Sequence, residues 1–122
     1  MALPHAQPLD VIALHPLGAQ LVETPSTSLI KTGRLQLLHV VLMAHEQQPL
    51  HRLDDECTVH CLEGVVELTM DGGTRRLNAG ELVLVPAREA HGLQARTDAS
   101  VLMTLLLRDG DAASQGALRH RA

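Results

Sequence analysis

Residues 80–91 read GELVLVPAREAH, a short apolar run between a glycine and a proline. The run LVLV at 82–85 predicts a β-strand, because aliphatic and β-branched residues favour strands. Gly80 predicts a turn before this strand, since glycine tolerates backbone angles that other residues avoid. Pro86 has no amide hydrogen and therefore marks the point where the chain leaves the sheet. His91 then opens a second predicted strand, HGLQA at 91–95.

The same alternation of short apolar runs and turn residues continues along most of the chain. Asp71-Gly72 separates two such runs and predicts a hairpin. Many short strands at this spacing, without a long amphipathic helix, indicate an all-β sandwich or barrel. The predicted strands cover residues 11–15, 19–22, 28–31, 34–43, 58–63, 65–70, 74–77, 82–85, 91–95 and 100–107.

Length and composition indicate one domain and exclude several classes of function. The 122 residues suffice for one domain of common size. We divide them into an N-terminal segment (1–10), a β-domain (11–107) and a polar tail (108–122) with no more than a short helix over 112–119. The chain has no Phe, Tyr or Trp, so it lacks the stacking platforms of aromatic nucleic-acid readers. A net charge of −4 without a basic stripe also argues against nucleic acid as a partner.

The sequence predicts a cytoplasmic protein that does not enter a membrane. The first ten residues, MALPHAQPLD, lack the positive cluster and apolar core of a signal peptide. The longest apolar run, 40–44, is far too short to span a bilayer. Cys57 and Cys61 lie on one predicted strand with their backbones ~13 Å apart, too far for a disulfide. Both thiols are therefore expected to be reduced.

Residues 45–95 resemble the two signature motifs of the cupin family, G-x5-H-x-H-x(3,4)-E-x6-G and G-x5-P-x-G-x2-H-x3-N. The second motif is the better kept. Gly80, Pro86 and His91 stand at its spacing, whereas Arg88 replaces its second glycine and Ala95 its asparagine. With the flanking strands, the resemblance covers most of residues 19–107. It implies a cupin-type double-stranded β-helix, which is an all-β jelly-roll barrel.

The first motif departs further from the family pattern. His51 and Gly64 occupy the expected positions. Leu53 stands where the second histidine belongs, Cys57 where the glutamate belongs, and His45 where the opening glycine belongs. The resemblance therefore implies the fold more strongly than it implies the family's site.

In cupins the motif residues converge inside the barrel, where three histidines and one glutamate hold a divalent metal. This chain keeps His51 and His91 of those four ligands. With Cys57 as a thiolate and a water, they would form an open tetrahedral zinc site, and iron, manganese or nickel are the alternative metals. A β-bulge that turned Glu56 inward instead of Cys57 would give two histidines and a carboxylate.

Strand parity restricts the remaining candidates. If Cys57 points inward, Val59 and Cys61 do so too, and His60 points outward. A metal-free pocket is the other interpretation, with both motif histidines orienting a small ligand and Cys57 acting as a small buried hydrophobe. In either case the expected pocket residues are His51, Leu53, Cys57, Val59, Cys61, His91 and Leu93.

Three classes of function are compatible with these observations. We favour a small-molecule-binding module, because two of the four family ligands differ in type and no other motif specifies a reaction. The first alternative is a metal-dependent enzyme of the dioxygenase, isomerase or decarboxylase kind. The second is a sensory module that acts through a separate partner. Whether the protein is an enzyme stays open at this point.

The runs 34–43 and 100–107 are apolar on both strand faces. Only one face of such a strand can point into a small barrel, so the other needs cover from outside. We expect that cover from a second copy of the chain in a homodimer. The alternative is cover from the chain's own N-terminal segment.

Overall fold

The computed structural model describes residues 5–107, which form nine β-strands and one short 3₁₀ helix. The predicted polar tail (108–122) and residues 1–4 of the N-terminal segment lie outside this range. Within it, no helix has the length and apolar character needed to cross a membrane. The 3₁₀ helix covers Gly18–Glu23, and the strands are β1 (Thr27–Lys31), β2 (Leu35–Leu42), β3 (Gln47–His51), β4 (Cys57–Glu63), β5 (Val65–Met70), β6 (Gly73–Asn78), β7 (Leu82–Val85), β8 (His91–Ala95) and β9 (Ala99–Leu106).

The strands form two antiparallel sheets. The five-stranded sheet has the order β1-β2-β9-β4-β7, and the four-stranded sheet has the order β3-β8-β5-β6. The chain repeatedly crosses from one sheet to the other, and many neighbours in a sheet are distant in sequence. The Asp71-Gly72 hairpin joins β5 and β6 as predicted. This architecture confirms the predicted all-β jelly-roll barrel.

One aliphatic core lies between the two sheets. In β4 the buried residues Cys57, Val59 and Cys61 alternate with partly exposed ones, which confirms their predicted inward direction and the outward direction of His60. Burial of each valine or leucine stabilises the fold by roughly 1.5–3 kcal/mol, so aliphatic residues can support this core without aromatic ones. The buried cluster comprises Val40, Leu42, Cys57, Val59, Cys61, Val66, Leu68, Leu77, Val85, Leu93, Ala95, Ala99, Val101, Met103, Leu105 and Leu107.

Eight of the ten predicted strands are present, each within one residue of its predicted ends. The predictions for 11–15 and 19–22 are wrong. Residues 11–15 do alternate in exposure, with Ile12 and Leu14 half-buried, but they lie outside both sheets. Residues 19–22 belong to the 3₁₀ helix. In both places an apolar pattern reflects packing onto the barrel rather than membership of a sheet.

Strand β3 was not predicted, because its sequence QQPLH is polar and contains Pro49. It pairs only with β8, at the edge of the four-stranded sheet. The register shifts between Gln48 and His51, so that Pro49 stands in an irregular part of the ladder where its missing donor is tolerated. The partner strand, rather than local propensity, therefore decides the conformation of these residues.

Residues 6–23, which we call the strap, cross the outer side of the five-stranded sheet. At one end, the Ala6 amide donates to the Leu29 carbonyl on β1, at 2.9 Å. At the other, the Leu17 and Gly18 amides donate to the two carboxylate oxygens of Glu63 on β4, at 2.7 and 3.2 Å. Strands β2 and β9 lie between β1 and β4, so the strap spans them.

Glu63 can hold the strap because a bulge turns it away from the core. The ladder between β4 and β9 shifts between Cys61 and Glu63, which reverses the alternation of side chains. The Ser100 hydroxyl donates to the same carboxylate, at 3.3 Å. Leu21 of the strap is buried although it is not part of the core cluster. The strap thus supplies part of the predicted outside cover.

Two residues that replace motif glycines keep a glycine-like backbone. His45 has φ 73° and Arg88 has φ 65°, both in the left-handed region. Such angles cost a non-glycine residue roughly 1–2 kcal/mol. The turns of the motif have therefore been retained although their glycines have not.

Candidate functional site

Strands β3 and β8 bring the two motif histidines together. His51 and His91 are direct partners in the antiparallel ladder. Their imidazole rings meet edge to face, with centroids 4.3 Å apart and an interplanar angle of 61°. His91 is buried and His51 is half-buried. The ladder between β3 and β8 therefore holds two polar rings against each other.

Backbone carbonyls determine which nitrogen of each ring carries the proton. His51 Nδ1 lies 3.1 Å from the Pro49 carbonyl oxygen, and His91 Nδ1 lies 3.1 Å from that of Glu89. A carbonyl oxygen only accepts hydrogen bonds, so each Nδ1 must be the donor. In the neutral ring Nε2 is then an acceptor. Both Nε2 atoms are buried, and each can accept a hydrogen bond from a ligand or coordinate a metal.

The loop that follows β3 and the loop that precedes β8 are bonded to each other. The Arg88 amide donates to the Leu53 carbonyl at 2.8 Å, and Arg52 Nη1 donates to the Arg88 carbonyl at 2.9 Å. These bonds connect the residues that follow His51 with the residues that precede His91. Leu53 itself is half-buried and packs against the core, so the position of the family's second histidine carries only hydrocarbon.

Cys57 lies on the other sheet. It is buried on β4, where its ladder partners are Val85 and Leu105. Cys61 is buried on the same strand, and burial raises the pKa of its thiol, with the negative charges of Glu81 and Glu63 adding to this effect. A thiol that resists ionisation is a poor nucleophile and a poor metal ligand. Cys61, Val59 and Leu93 are packing residues of the core.

The described residues do not assemble the donor set of a typical cupin metal centre. Across residues 5–107, no three His, Cys, Asp or Glu side chains are grouped closely enough to hold a metal ion. Glu56 is exposed just before β4, and the bulge of that strand falls between Cys61 and Glu63 instead. The two imidazoles alone therefore do not fit a site of three histidines and one glutamate.

A shallow groove on the outer side of the four-stranded sheet was not anticipated from the sequence. Its volume is about 200 Å³, below the roughly 300–1,000 Å³ of ordinary ligand pockets. Its lining includes the strand neighbours of both histidines, Leu50 beside His51 and Gly92 beside His91. Three of its lining residues are glutamines on β3 and β8. They indicate a common surface only because these two strands pair, which the sequence did not predict. The lining residues are Gln47, Gln48, Pro49, Leu50, Thr69, Gly92, Leu93 and Gln94.

Comparisons with solved structures show proteins of the same fold. A conserved protein of unknown function from Streptococcus pyogenes superposes with a TM-score of 0.68 at 20% identity, over 88% of this chain and 95% of that one. An RmlC-like cupin from Desulfovibrio desulfuricans gives 0.62 at 19% identity, over 85% and 96%. A cupin superfamily protein from Desulfitobacterium hafniense gives 0.65 at 20% identity, over 67% and 75%.

Sequence comparison identifies the family. No curated protein shows significant similarity to the chain. The family model described as "Cupin domain" matches residues 38–107, which is more than half of the chain and includes both motif histidines. The protein therefore belongs to the cupin family.

Proposed function

We propose that this cupin domain binds a small molecule through His51 and His91, and that the ligand offers hydrogen-bond donors such as hydroxyl or amino groups. The observation that carries the proposal is the pair of Nδ1–carbonyl hydrogen bonds. They leave Nε2 as an acceptor on both rings in the neutral state, and two adjacent acceptors favour a ligand that donates. Met70, the ladder partner of His91, and Leu53 both pack against the aliphatic core, and apolar side chains usually dominate the lining of a small-molecule site.

The experiment is a titration of the wild-type protein, made without a histidine tag, with a panel of small polyols, monosaccharides, hydroxy acids and amines. The readout is the side-chain nitrogen resonances of His51 and His91. We expect at least one compound class to shift both histidines in the wild type and to leave the His91→Ala variant unaffected. The matched control is Leu50→Ala, a change beside His51 on the exposed side of the same strand, which should preserve the response. Shifts that persist in His91→Ala would contradict the proposal.

A metal-dependent enzyme is the second candidate, because a buried imidazole Nε2 acceptor is also a metal ligand. It receives less support, since the described residues contain no group of three donors. Elemental analysis of the tag-free protein separates the two candidates. A stoichiometric metal that is lost in His91→Ala would replace the small-molecule proposal with the metalloenzyme. Metal binding in that case should weaken as the pH falls, because protons compete for the imidazoles.

We extend the proposal to a cytoplasmic location. Cys57 and Cys61 are both buried as reduced thiols, and such thiols suit a reducing compartment. Fractionation of the source cells, with detection of the native protein, tests this part. Recovery in a secreted or periplasmic fraction would overturn it.

A further inference from the structure

The groove on the outer side of the four-stranded sheet is lined by three adjacent strands, β3, β8 and β5. Leu68 and Leu93 are ladder partners, and both are buried in the core. The strand residues next to them, which include Thr69, Gly92 and Gln94, therefore point to the outer side of the sheet. Paired strands rather than loops thus hold the groove in place, and sites built on such elements are positioned more precisely.

Gly92 leaves the floor of the groove open. A Cβ atom added at this position would lie 3.1 Å from the Gln48 carbonyl oxygen and 3.3 Å from the Leu50 amide nitrogen, so β3 passes close to it. Thr69 is the ladder partner of Gly92 on the other side, on β5. The missing side chain therefore leaves a depression between Leu50 and Thr69, both of which line the groove.

The polar side chains of the groove are not used by the fold. Gln47 faces Gln94 across the ladder between β3 and β8, and Gln94 is half-buried. Within the part of the chain that the structure describes, the side chains of Gln47, Gln94 and Thr69 form no hydrogen bond with another residue. The groove therefore presents two carboxamides and one hydroxyl to a ligand.

These groups match a ligand that carries several hydroxyls. Each carboxamide has two N–H donors and an acceptor oxygen, and a hydroxyl both donates and accepts. Pro49 and Leu50 add hydrocarbon to the lining, and a sugar ring offers C–H groups to such a surface while its hydroxyls reach the polar groups. The volume of about 200 Å³ equals that of roughly seven waters at ~30 Å³ each, which suits one ring.

The charge of the groove favours a neutral ligand. Among the described residues that line it, none is charged. Glu67 faces Gln94 across the ladder between β5 and β8, but its carboxylate contacts Arg76 at 3.2 Å and Arg96 at 3.9 Å. A charged ligand would lose hydration in the groove without gaining an ion pair from its lining.

We infer that this groove binds one neutral sugar ring, either as a free monosaccharide or as the end of an oligosaccharide. The site is distinct from the histidine pair, because Leu50 and Gly92 are the chain neighbours of His51 and His91 and face the opposite side of the sheet. It does not depend on the function proposed above.

Nitrogen–proton spectra of the backbone amides test the inference, with glucose, galactose, mannose, maltose and lactose as probes. At least one sugar should shift the Thr69, Gly92 and Gln94 amides saturably. The dissociation constant should be on the order of millimolar, because neutral hydrogen bonds at an open site compete with water. Glucuronate and glucosamine, the charged counterparts, should bind roughly tenfold more weakly. A disaccharide that binds as tightly as its monosaccharide identifies a chain end as the ligand, and tighter binding of the monosaccharide identifies the free sugar.

Two substitutions remove the polar groups while keeping the size of the side chain. Gln94→Met and Thr69→Val should each weaken sugar binding by about three- to tenfold, the loss of one or two neutral hydrogen bonds. Thr74→Val is the matched control, because Thr74 is the exposed ladder partner of Thr69 and lies outside the lining. This variant and His91→Ala should bind the sugar like the wild type.

Circular dichroism of each variant shows whether it has folded. If Gln94→Met fails to fold, Thr69→Val decides the question, because valine favours a strand at least as well as threonine does. The inference is overturned if no neutral sugar shifts the three amides saturably, or if both substitutions leave the affinity unchanged. Tighter binding of glucuronate or glucosamine would also overturn it, as would a sugar response that is lost in His91→Ala.

Discussion

The imidazole rings of His51 and His91 meet edge to face 4.3 Å apart, although each belongs to a different motif. Each ring donates from Nδ1 to the carbonyl oxygen of the residue two positions earlier in the chain. Both histidines thus make the same hydrogen bond to their own stretch of main chain. Main-chain oxygens in this way orient two acceptor nitrogens in the barrel.

This arrangement makes a direct prediction about tautomers. Both histidines should be Nδ1–H tautomers when neutral, the reverse of the form that free imidazole side chains prefer. Long-range nitrogen–proton correlation spectra at pH 8 distinguish the two forms. His45 is exposed and serves as an internal reference. An Nε2–H tautomer at His91 would mean that its Nδ1 does not bond to the Glu89 carbonyl, and the proposed binding mode would fall with it.

A second prediction concerns the two motif glycines that this chain lacks. His45→Gly and Arg88→Gly should each raise the free energy of unfolding, by up to about 1 kcal/mol. Relief of a left-handed backbone contributes roughly 1–2 kcal/mol, and the greater freedom of glycine in the unfolded chain removes roughly 0.4–1 kcal/mol. Urea unfolding of the variants measures the balance.

Ala87→Gly is the control for this pair of substitutions. Ala87 precedes Arg88 and does not have a positive φ, so its replacement should lower stability by roughly 0.4–1 kcal/mol. If the glycine variants at 45 and 88 destabilised the protein as much as Ala87→Gly does, the side chains of His45 or Arg88 would have to contribute stability that offsets their backbone strain.

The strap gives a third prediction. Glu63→Ala removes the acceptor of the Leu17 and Gly18 amides and of the Ser100 hydroxyl. We expect exchange of these two amides with deuterium to accelerate strongly, and the free energy of unfolding to fall by roughly 1–3 kcal/mol. Glu67→Ala is the control. It removes the ion pair between Glu67 and Arg76 on the other sheet, and such a surface pair contributes no more than about 1 kcal/mol. Protected Leu17 and Gly18 amides in Glu63→Ala would refute the role of Glu63.

The fourth prediction is a loss of stability in mild acid. Burial lowers the pKa of His39 from its ordinary value of 6.5, and the opposing attraction of the Glu63 carboxylate is smaller. Its row neighbours Thr27 and Leu102 do not titrate. As pH falls below 6.5, the unfolded chain therefore takes up a proton before the folded one does, and stability is lost. Well above pH 6.5 the imidazole is neutral in both states, and the contribution of His39 is complete.

The difference between wild type and His39→Gln isolates this contribution from other titrating groups. Free energies of unfolding at pH 7.5 and pH 5.5 are the measurement. The wild type should lose more stability over this range than the variant. Equal losses would show that His39 is protonated equally well in the folded and unfolded chain.

Much of the barrel could be predicted from local sequence alone. The runs at 65–70 and 82–85 became strands with the predicted ends, because apolar β-formers between turn residues have few other stable choices. The parity of β4 followed in the same way, since side chains alternate with period 2 in any strand. The spacing of Pro86 and His91 within the second motif was sufficient to indicate the family.

Contacts between distant parts of the chain decided the rest. Residues 47–51 (QQPLH) form a strand because they pair with β8. The same pairing places His51 against His91. Residues 11–15 (VIALH) pair with no strand of either sheet and belong to the strap. The Leu17 and Gly18 amides that bond to Glu63 lie 46 and 45 residues earlier in the chain, and no local sequence pattern indicates this contact. Register likewise decided that Leu38 packs against the core while Leu106 faces outward. Composition and the periodicity of apolar residues are local properties of a chain. The partner of each strand and of each carboxylate depends instead on how the whole barrel packs together.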